Sequence, residues 1–299
     1  MSLWMDAVVT GGCGFIGSHL VEFLLENGFR VKVIDNLYRA SVDVFEKFSG
    51  MDNVEVEVID VRDSCRLTKA LTGDVVFHLA ALTDVEESEI EKSSYWSVNV
   101  VGTINVLNAA LERSMKVVYA SSAAVYGELK NPAVEDMTPN PLNFYGYTKL
   151  EAEKECLKHL DSVDVTILRL FNVYGERARA GVVKKFLESA SLHRPLTVYG
   201  DGENVRDFIY VGDVVEAFYK AYIEKSASGK IINIGSGRPV KIRELAEYID
   251  EKTGVGISYR EPRKNDVRYS VADISSAEKI LSWKPRTDLF RWISEKLGV

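Results

Sequence analysis

The sequence predicts an α/β protein: a doubly wound parallel sheet, with a smaller mixed α/β substrate-binding unit following it. Three observations carry that expectation. Short β-branched runs alternate with longer stretches of helical spacing from Asp6 to Leu170. Runs such as Val75-Val76-Phe77 are apolar without interruption, as in strands buried on both faces. A glycine-rich stretch, Thr10–Gly17, stands between the first strand pattern and the first helix pattern.

Taken in order, strands are expected at Asp6–Thr10, Arg30–Ile34, Val54–Ile59, Asp74–Leu79, Lys116–Ser121 and Val165–Leu170. Helices are expected between them, chiefly Ser18–Glu26, Tyr95–Leu111 and Gly146–Leu160. After about Asn172 the elements shorten, turns such as Gly235-Ser236-Gly237 multiply, and helical spacing returns at Val214–Glu224, Ile242–Lys252 and Ser275–Leu281. Two domains follow, 1–171 and 172–299. No Gly/Ser linker separates them, so the chain is expected to cross the seam more than once.

Composition removes several function classes. Of 299 residues, 46% are hydrophobic and 27% charged, which excludes wholesale disorder. No apolar run reaches the ~18–20 residues of a membrane span. The start, Met1 to Asp6, lacks the basic-then-apolar pattern of a signal peptide. A net charge of −7 argues against nucleic acid as a partner. Cys13, Cys65 and Cys156 are odd in number and far apart, so a disulfide framework is not expected and a reducing, cytoplasmic compartment is. His19, His78, His159 and His193 share no metal-ligand spacing, so no metal is expected.

Within T-G-G-C-G-F-I-G, Gly11, Gly14 and Gly17 fall at every third residue. Small residues there let backbone approach a pyrophosphate and let helix pack on strand, while the helix N-terminus offers N–H groups and its dipole. This is the dinucleotide-binding arrangement of a Rossmann domain. Asp35 ends the second strand 18 residues beyond Gly17. A carboxylate there bonds ribose hydroxyls and repels a 2′-phosphate, favouring NAD over NADP despite nearby Arg39.

Three Y-x-x-x-K pairs occur: Tyr126/Lys130, Tyr145/Lys149 and Tyr248/Lys252. Chance alone supplies about one, so context decides. Tyr126/Lys130 runs through Gly127 into Asn131-Pro132 and reads as loop; Tyr248/Lys252 lies far beyond the cofactor half. Tyr145 and Lys149 open a helix after the fifth strand, whose end, Ser121-Ser122, lies where ligands bind in open α/β sheets. A free tyrosine, with pKa ~10, is a poor base at neutral pH, and lowering it by about three units takes roughly 4 kcal/mol. A lysine ammonium one turn away is suited to help, and Ser122 can relay a proton or hold the substrate oxygen. Oxidation of an alcohol, with hydride passing to nicotinamide, is the chemistry such a triad serves.

With these residues in hand, the chain resembles the extended short-chain dehydrogenase/reductases, and within them the UDP-galactose 4-epimerase branch. The resemblance runs nearly end to end: T-G-G-C-G-F-I-G-S-H-L, Asp60-Val61-Arg62-Asp63, His78-Leu79-Ala80-Ala81, Asn99 before Gly102-Thr103, S-S-A-A-V-Y-G from Ser121, R-L-F-N-V-Y-G from Arg169, G-D-G-E-N-V-R-D-F-I-Y-V from Gly200, and Asn233-Ile-Gly-Ser-Gly. It implies Phe15 and Ile16 under the pyrophosphate, Asp35, Asn36, Leu37, Tyr38, Arg39 and Ala40 around the adenosine ribose, and Asp60 and Val61 at the adenine. Leu79, Ala80, Ala81, Leu82, Thr83, Asn99 and Ser121 would line the cofactor, with Phe171 at the nicotinamide. For a UDP-sugar it implies Ser122, Tyr145, Asn172, Val182, Tyr199, Arg206, Arg263, Asp266 and Ser270. Two arginines there suit a diphosphate and an aromatic ring suits uracil. The resemblance also implies a homodimer through helices Tyr95–Leu111 and Gly146–Leu160. His78 reads as the end of a buried strand, not an acid or base.

Some positions depart from the family pattern. Lys264-Asn265 stands where relatives have Pro-Gly, Lys184 where they have Pro, and Glu86-Glu87 where arginines are common. Ala123 and Ala124 stand where dehydratases and decarboxylating relatives carry an acid, leaving reversible oxidation at one carbon, hence 4-epimerisation of UDP-glucose and UDP-galactose. The small Ser270 replaces the bulky aromatic of plain-hexose relatives, leaving room for an N-acetyl group. The alternatives are another NAD-dependent nucleotide-sugar epimerase or dehydrogenase, and lastly an NAD-sensing protein without catalysis.

Overall fold

A computed structural model of the chain describes residues 5–263 and 266–298. In its first half, strands and helices alternate: β1 (Met5–Thr10), α1 (Phe15–Glu26), β2 (Phe29–Asp35), α2 (Val42–Ser49), β3 (Val54–Val58), α3 (Ser64–Ala70), β4 (Val75–His78), α4 (Val85–Ile90), α5 (Lys92–Trp96), α6 (Gly102–Arg113), β5 (Lys116–Ser122), α7 (Phe144–Lys158) and β6 (Val165–Leu170). Then come β7 (Asn172–Tyr174), α8 (Val182–Ser191), β8 (Leu196–Tyr199), β9 (Val205–Tyr210), α9 (Val211–Ile223), β10 (Ile231–Ile234), β11 (Pro239–Lys241), α10 (Ile242–Thr253), β12 (Ile257–Arg260), β13 (Tyr269–Ser270), α11 (Ser275–Leu281) and α12 (Leu289–Leu297).

Seven strands form one parallel sheet in the order β10-β6-β5-β4-β1-β2-β3. The order reverses between β1 and β4, which opens a crevice at their C-terminal ends. Strands β4 and β6 are buried along their whole length because helices cover both faces there, whereas β2 and the edge strand β3 alternate apolar with charged residues. One layer of core holds Leu20, Leu24, Phe29, Phe77 and Phe218; the other holds Leu67, Leu107, Tyr119, Ala152 and Ile167. A smaller sheet, β11-β9-β13 with β7 on β9, packs around Phe186, Leu245 and Trp292, and β8 pairs with β12.

Two features add to the sequence pattern. Ile231–Ile234, beyond Asn172, is the edge strand of the large sheet, and α9 packs against α1, so the chain returns to the first sheet after building β7–β9. The continuous helix expected over Tyr95–Leu111 is instead α5, a π-helical turn at Ser97–Val101, and α6. At that turn Asn99 bonds the Leu82 backbone through both its amide oxygen (2.8 Å) and nitrogen (2.9 Å), and donates to Thr148 at 3.0 Å. Widening the helix there fits a side chain committed outside its own ladder. Among the described residues no helix is long and apolar enough to cross a membrane.

Candidate active site

The glycine loop closes by backbone contact. A Cβ at Gly17 would stand 2.1 Å from the Gly11 carbonyl oxygen, and Gly11, at φ +71°, lies against the Ala80 backbone. No side chain caps the N–H groups of the first turn of α1, where Gly14 holds the N-cap position, so those groups are left without a side-chain acceptor at the crevice. Phe15 and Ile16 are half-buried in that turn. Asp35 is 9% exposed; its carboxylate accepts from Cys13 N at 3.1 Å and Leu37 N at 2.8 Å, while burial pushes its pKa up against those bonds. Leu37 holds a left-handed φ of 60°, an uncommon conformation for a bulky residue, beside the exposed Tyr38. A buried carboxylate beyond a helix start with no capping side chain fits a dinucleotide.

Asp60, at the end of the third strand's path, accepts from Asn36 and from Arg62, and that guanidinium holds its carboxyl well below the usual range. Val61 is buried; Leu79, Ala80, Ala81 and Leu82 are half-buried and Thr83 is exposed along the opposite wall. Arg39 reaches across to ion-pair with Glu87, whose carboxylate also accepts from Tyr95 at 2.7 Å. Arg179 donates to the carbonyls of Arg39 (2.6 Å) and Ala40 (2.8 Å), tying the loop after β2 to the segment after β7.

Tyr145 and Lys149 lie in the first two turns of α7, capped by Asn143, whose carboxamide accepts from Gly146 N at 2.8 Å. A Cβ at Gly146 would meet the Ala124 carbonyl oxygen at 2.5 Å, so only glycine lets this helix sit on the turn after β5. That approach brings Tyr145 beside Ser122, whose hydroxyl accepts from Ala124 N at 3.1 Å. Ser88 on α4 accepts from Tyr145 N at 3.1 Å. Burial raises the Tyr145 phenol, and the Ser122 hydroxyl works against that rise. Lys149 is 3% exposed and burial lowers it to about 8; its ammonium donates to the Ala120 carbonyl and the Tyr119 phenol rather than to Tyr145. Ser121 turns away from the crevice toward Glu153, which pairs with Arg169 at 2.7 Å, all three buried. His78 bonds Thr10 and Thr103 and is held neutral by burial, with its pKa near 3. Phe171 is buried against Tyr126 at the end of β6.

Across the crevice, Arg206 donates to Asp266 at 2.6 Å, and Asn204 donates to the same carboxylate at 2.7 Å. Ser270 pairs with Arg206 in the β9–β13 register. The Arg263 guanidinium lies 4.1 Å from the centre of the Tyr199 ring. Asn172 donates to the Asp207 carbonyl at 2.9 Å, and with Val182 it lines a cavity of about 80 Å³ closed by Phe208 and Trp292. Lys264 and Asn265 lie outside the described residues; Lys184 lines that cavity and pairs with Glu188. Asp207, fully buried, accepts from Ser236 N and Oγ, Gly237 N and Ala272 N, and so fixes β9 against β13. Neither Asp207 nor Tyr119 stood out in the sequence. Their only signal there was position, Tyr119 two residues before the Ser121-Ser122 strand end and Asp207 within the G-D-G-E-N-V-R-D-F-I-Y-V run.

A cofactor crevice flanked by a serine–tyrosine–lysine group defines an NAD-dependent oxidoreductase or epimerase type of site. Residues 7–235 match the model of the NAD dependent epimerase/dehydratase family, and the chain belongs to that family. It is 34% identical over 304 residues to the UDP-glucose 4-epimerase of Mycolicibacterium smegmatis, covering 97% of each chain. It is 39% identical over 258 residues to the UDP-N-acetyl-alpha-D-glucosaminuronate decarboxylase of Bacillus cytotoxicus, covering 82% of this chain and 79% of that one. The structure of the Thermotoga maritima UDP-glucose 4-epimerase with UDP-glucose superimposes at a TM-score of 0.92, with 32% identity and 98% of both chains covered. The protein is an NAD-dependent sugar epimerase, an isomerase.

Proposed function

We propose that the protein interconverts UDP-glucose and UDP-galactose at C4, and accepts the N-acetylhexosamine forms as well. The observation that carries the reading is the Ser122–Tyr145 pair packed on a turn made of Ala123 and Ala124, with no carboxylate in that turn to drive elimination. In this reading Tyr145 takes the proton from the sugar 4-hydroxyl and later returns one, and Ser122 holds the oxygen through the exchange. Lys149, as ammonium, stabilises the Tyr145 phenolate. Bound NAD supplies the hydride acceptor and, in reverse, the hydride donor. Gly11, Gly14, Gly17 and the first turn of α1 would hold its pyrophosphate, and Asp35 its ribose. Arg206 and Arg263 anchor the diphosphate while Asn172 and Val182 leave the sugar free to present either face. The small Ser270, beside Arg206, supports room for an acetamido group, as does the likeness to a decarboxylase of such a sugar.

Proton NMR of the protein with UDP-glucose and with UDP-N-acetylglucosamine tests this. Growth of galacto-configured anomeric signals is expected with both, and unchanged spectra after NAD is added would sink it. Tyr145→Phe should lower turnover about 10²–10⁴-fold while NAD stays bound. Ser270→Tyr should abolish turnover of the acetamido sugar alone; equal loss with both sugars would refute that part. We also propose a cytoplasmic homodimer. Exposed Trp96, stacked on Tyr147, and exposed Val101, Leu111 and Leu157 on neighbouring helices support the pairing surface.

A further inference from the structure

An ammonium has three N–H donors, and the two that Lys149 commits go to neutral acceptors. One is the Ala120 carbonyl oxygen at 2.7 Å; the other is the phenol oxygen of Tyr119 at 3.2 Å. Nζ also lies 4.7 Å from the centre of the Tyr119 ring. The Glu153 carboxylate, one turn further along α7, is taken up by Arg169 and Ser121. Tyr119 itself is 1% exposed and has little freedom to move. Its ring lies 5.6 Å from the imidazole of His78, which is fixed by Thr10 at 2.7 Å and Thr103 at 3.0 Å.

We propose that Tyr119 is a positioning residue: its phenol oxygen and ring face hold the Lys149 ammonium at the end of β5, in its charged form, for Tyr145 to use. The proposal rests on the role given above to Lys149 in the epimerase. A phenol oxygen accepting from an ammonium favours the charged state, and an aromatic face does the same. Burial opposes both, which is why Lys149 lies near 8 rather than in the usual lysine range. The other titratable groups around it are His78 on β4, neutral, and Glu153, Cys156 and Tyr145 on α7 itself. Turnover needs the ammonium, so it falls as pH rises through the Lys149 pKa. Removing the phenol oxygen lowers that pKa and moves the fall to lower pH.

Tyr119→Phe keeps the ring, the volume and the contact with His78. Measured on the NAD-loaded enzyme with UDP-glucose, its kcat should stay near wild type on the acid side. The alkaline limb should move down by about one pH unit, giving about tenfold lower turnover beyond it. A uniform loss across the profile, or an unmoved limb, overturns the proposal. A second readout needs no substrate: NMR titration of the protein labelled with ¹³Cε-lysine, the Lys149 signal being assigned by its loss in Lys149→Arg. A lower midpoint in Tyr119→Phe supports the positioning role even if the wild type turns over no UDP-sugar, in which case the epimerase reading alone fails. An unchanged midpoint refutes the role whatever the substrate.

Discussion

On the cofactor side of the crevice, the reactive groups hang from backbone and from buried bonds. Gly146 lies on the Ala124 carbonyl, Asn99 is bonded to Leu82 and Thr148, and Glu153 pairs with Arg169 behind Ser121. On the nucleotide-sugar side, the side chains expected to meet substrate are instead engaged with one another. Arg206 is held by Asp266, and Arg263 lies over Tyr199. Buried backbone contacts leave one arrangement open, so Tyr145, Lys149 and Ser122 are set before any ligand arrives. Arg206 is itself mostly buried, so in the proposed reading a diphosphate would take over an existing buried ion pair from Asp266, while the exposed Arg263 would yield the Tyr199 ring to a uracil at little energetic loss. A catalyst that must hold chemistry fixed while a sugar turns over has reason to be built in this unequal way.

The largest effect that could break the comparison is at Glu153. Glu153→Gln leaves the buried Arg169 charge without its partner and should cost about 3–5 kcal/mol of stability, read by urea unfolding. A loss under ~1 kcal/mol would mean the cofactor side does not depend on that buried pair.

The opposite behaviour is expected across the crevice. Arg206→Ala should fold with nearly wild-type stability yet weaken nucleotide binding by about 2 kcal/mol, roughly thirtyfold in KM, with kcat changed little. Steady-state kinetics with UDP-glucose reads this directly. A fall in kcat at constant KM would put Arg206 in the chemistry and erase the distinction between the sides.

That inequality also decides what could be read from the sequence. Strands buried on both faces leave apolar runs and half-exposed ones such as β3 alternate Val with Glu, so the bounds of β1 to β6 were legible to within a residue or two. Tyr145 and Lys149 could be singled out among three similar pairs because a strand end and a helix start are local patterns. Sheet membership is not local: Ile231–Ile234, not expected as a strand, is the edge of the first sheet. The π-helical turn was hidden because its cause, Asn99 bonding Leu82, joins segments far apart in the chain. Tyr119 was marked only as part of the fifth strand, since its polar atom matters only through Lys149. Likewise, Arg263 and Tyr199 both stood out, but their contact depends on β12 pairing with β8, which sets Arg260 opposite Tyr199.

The smallest expected effect lies where the two sides are tied together. Glu22 on α1 pairs with Arg177, in the segment after β7, at 2.5 Å and with Lys47 at 2.6 Å. The Arg177 guanidinium, helped by Lys47, lowers the Glu22 carboxyl to about 2. A carboxyl depressed in the folded state adds stability above its ordinary range near 4.5, and that stability is lost as pH falls toward 2. Solvent screening limits the contribution of this partly exposed pair to about 1 kcal/mol. Urea unfolding of wild type and Glu22→Gln should therefore differ by that much near neutral pH and converge on acidification. A gap that stays constant with pH would mean the tie works by packing rather than charge, and the joint between the two sides would then resemble the cofactor side more than the rim.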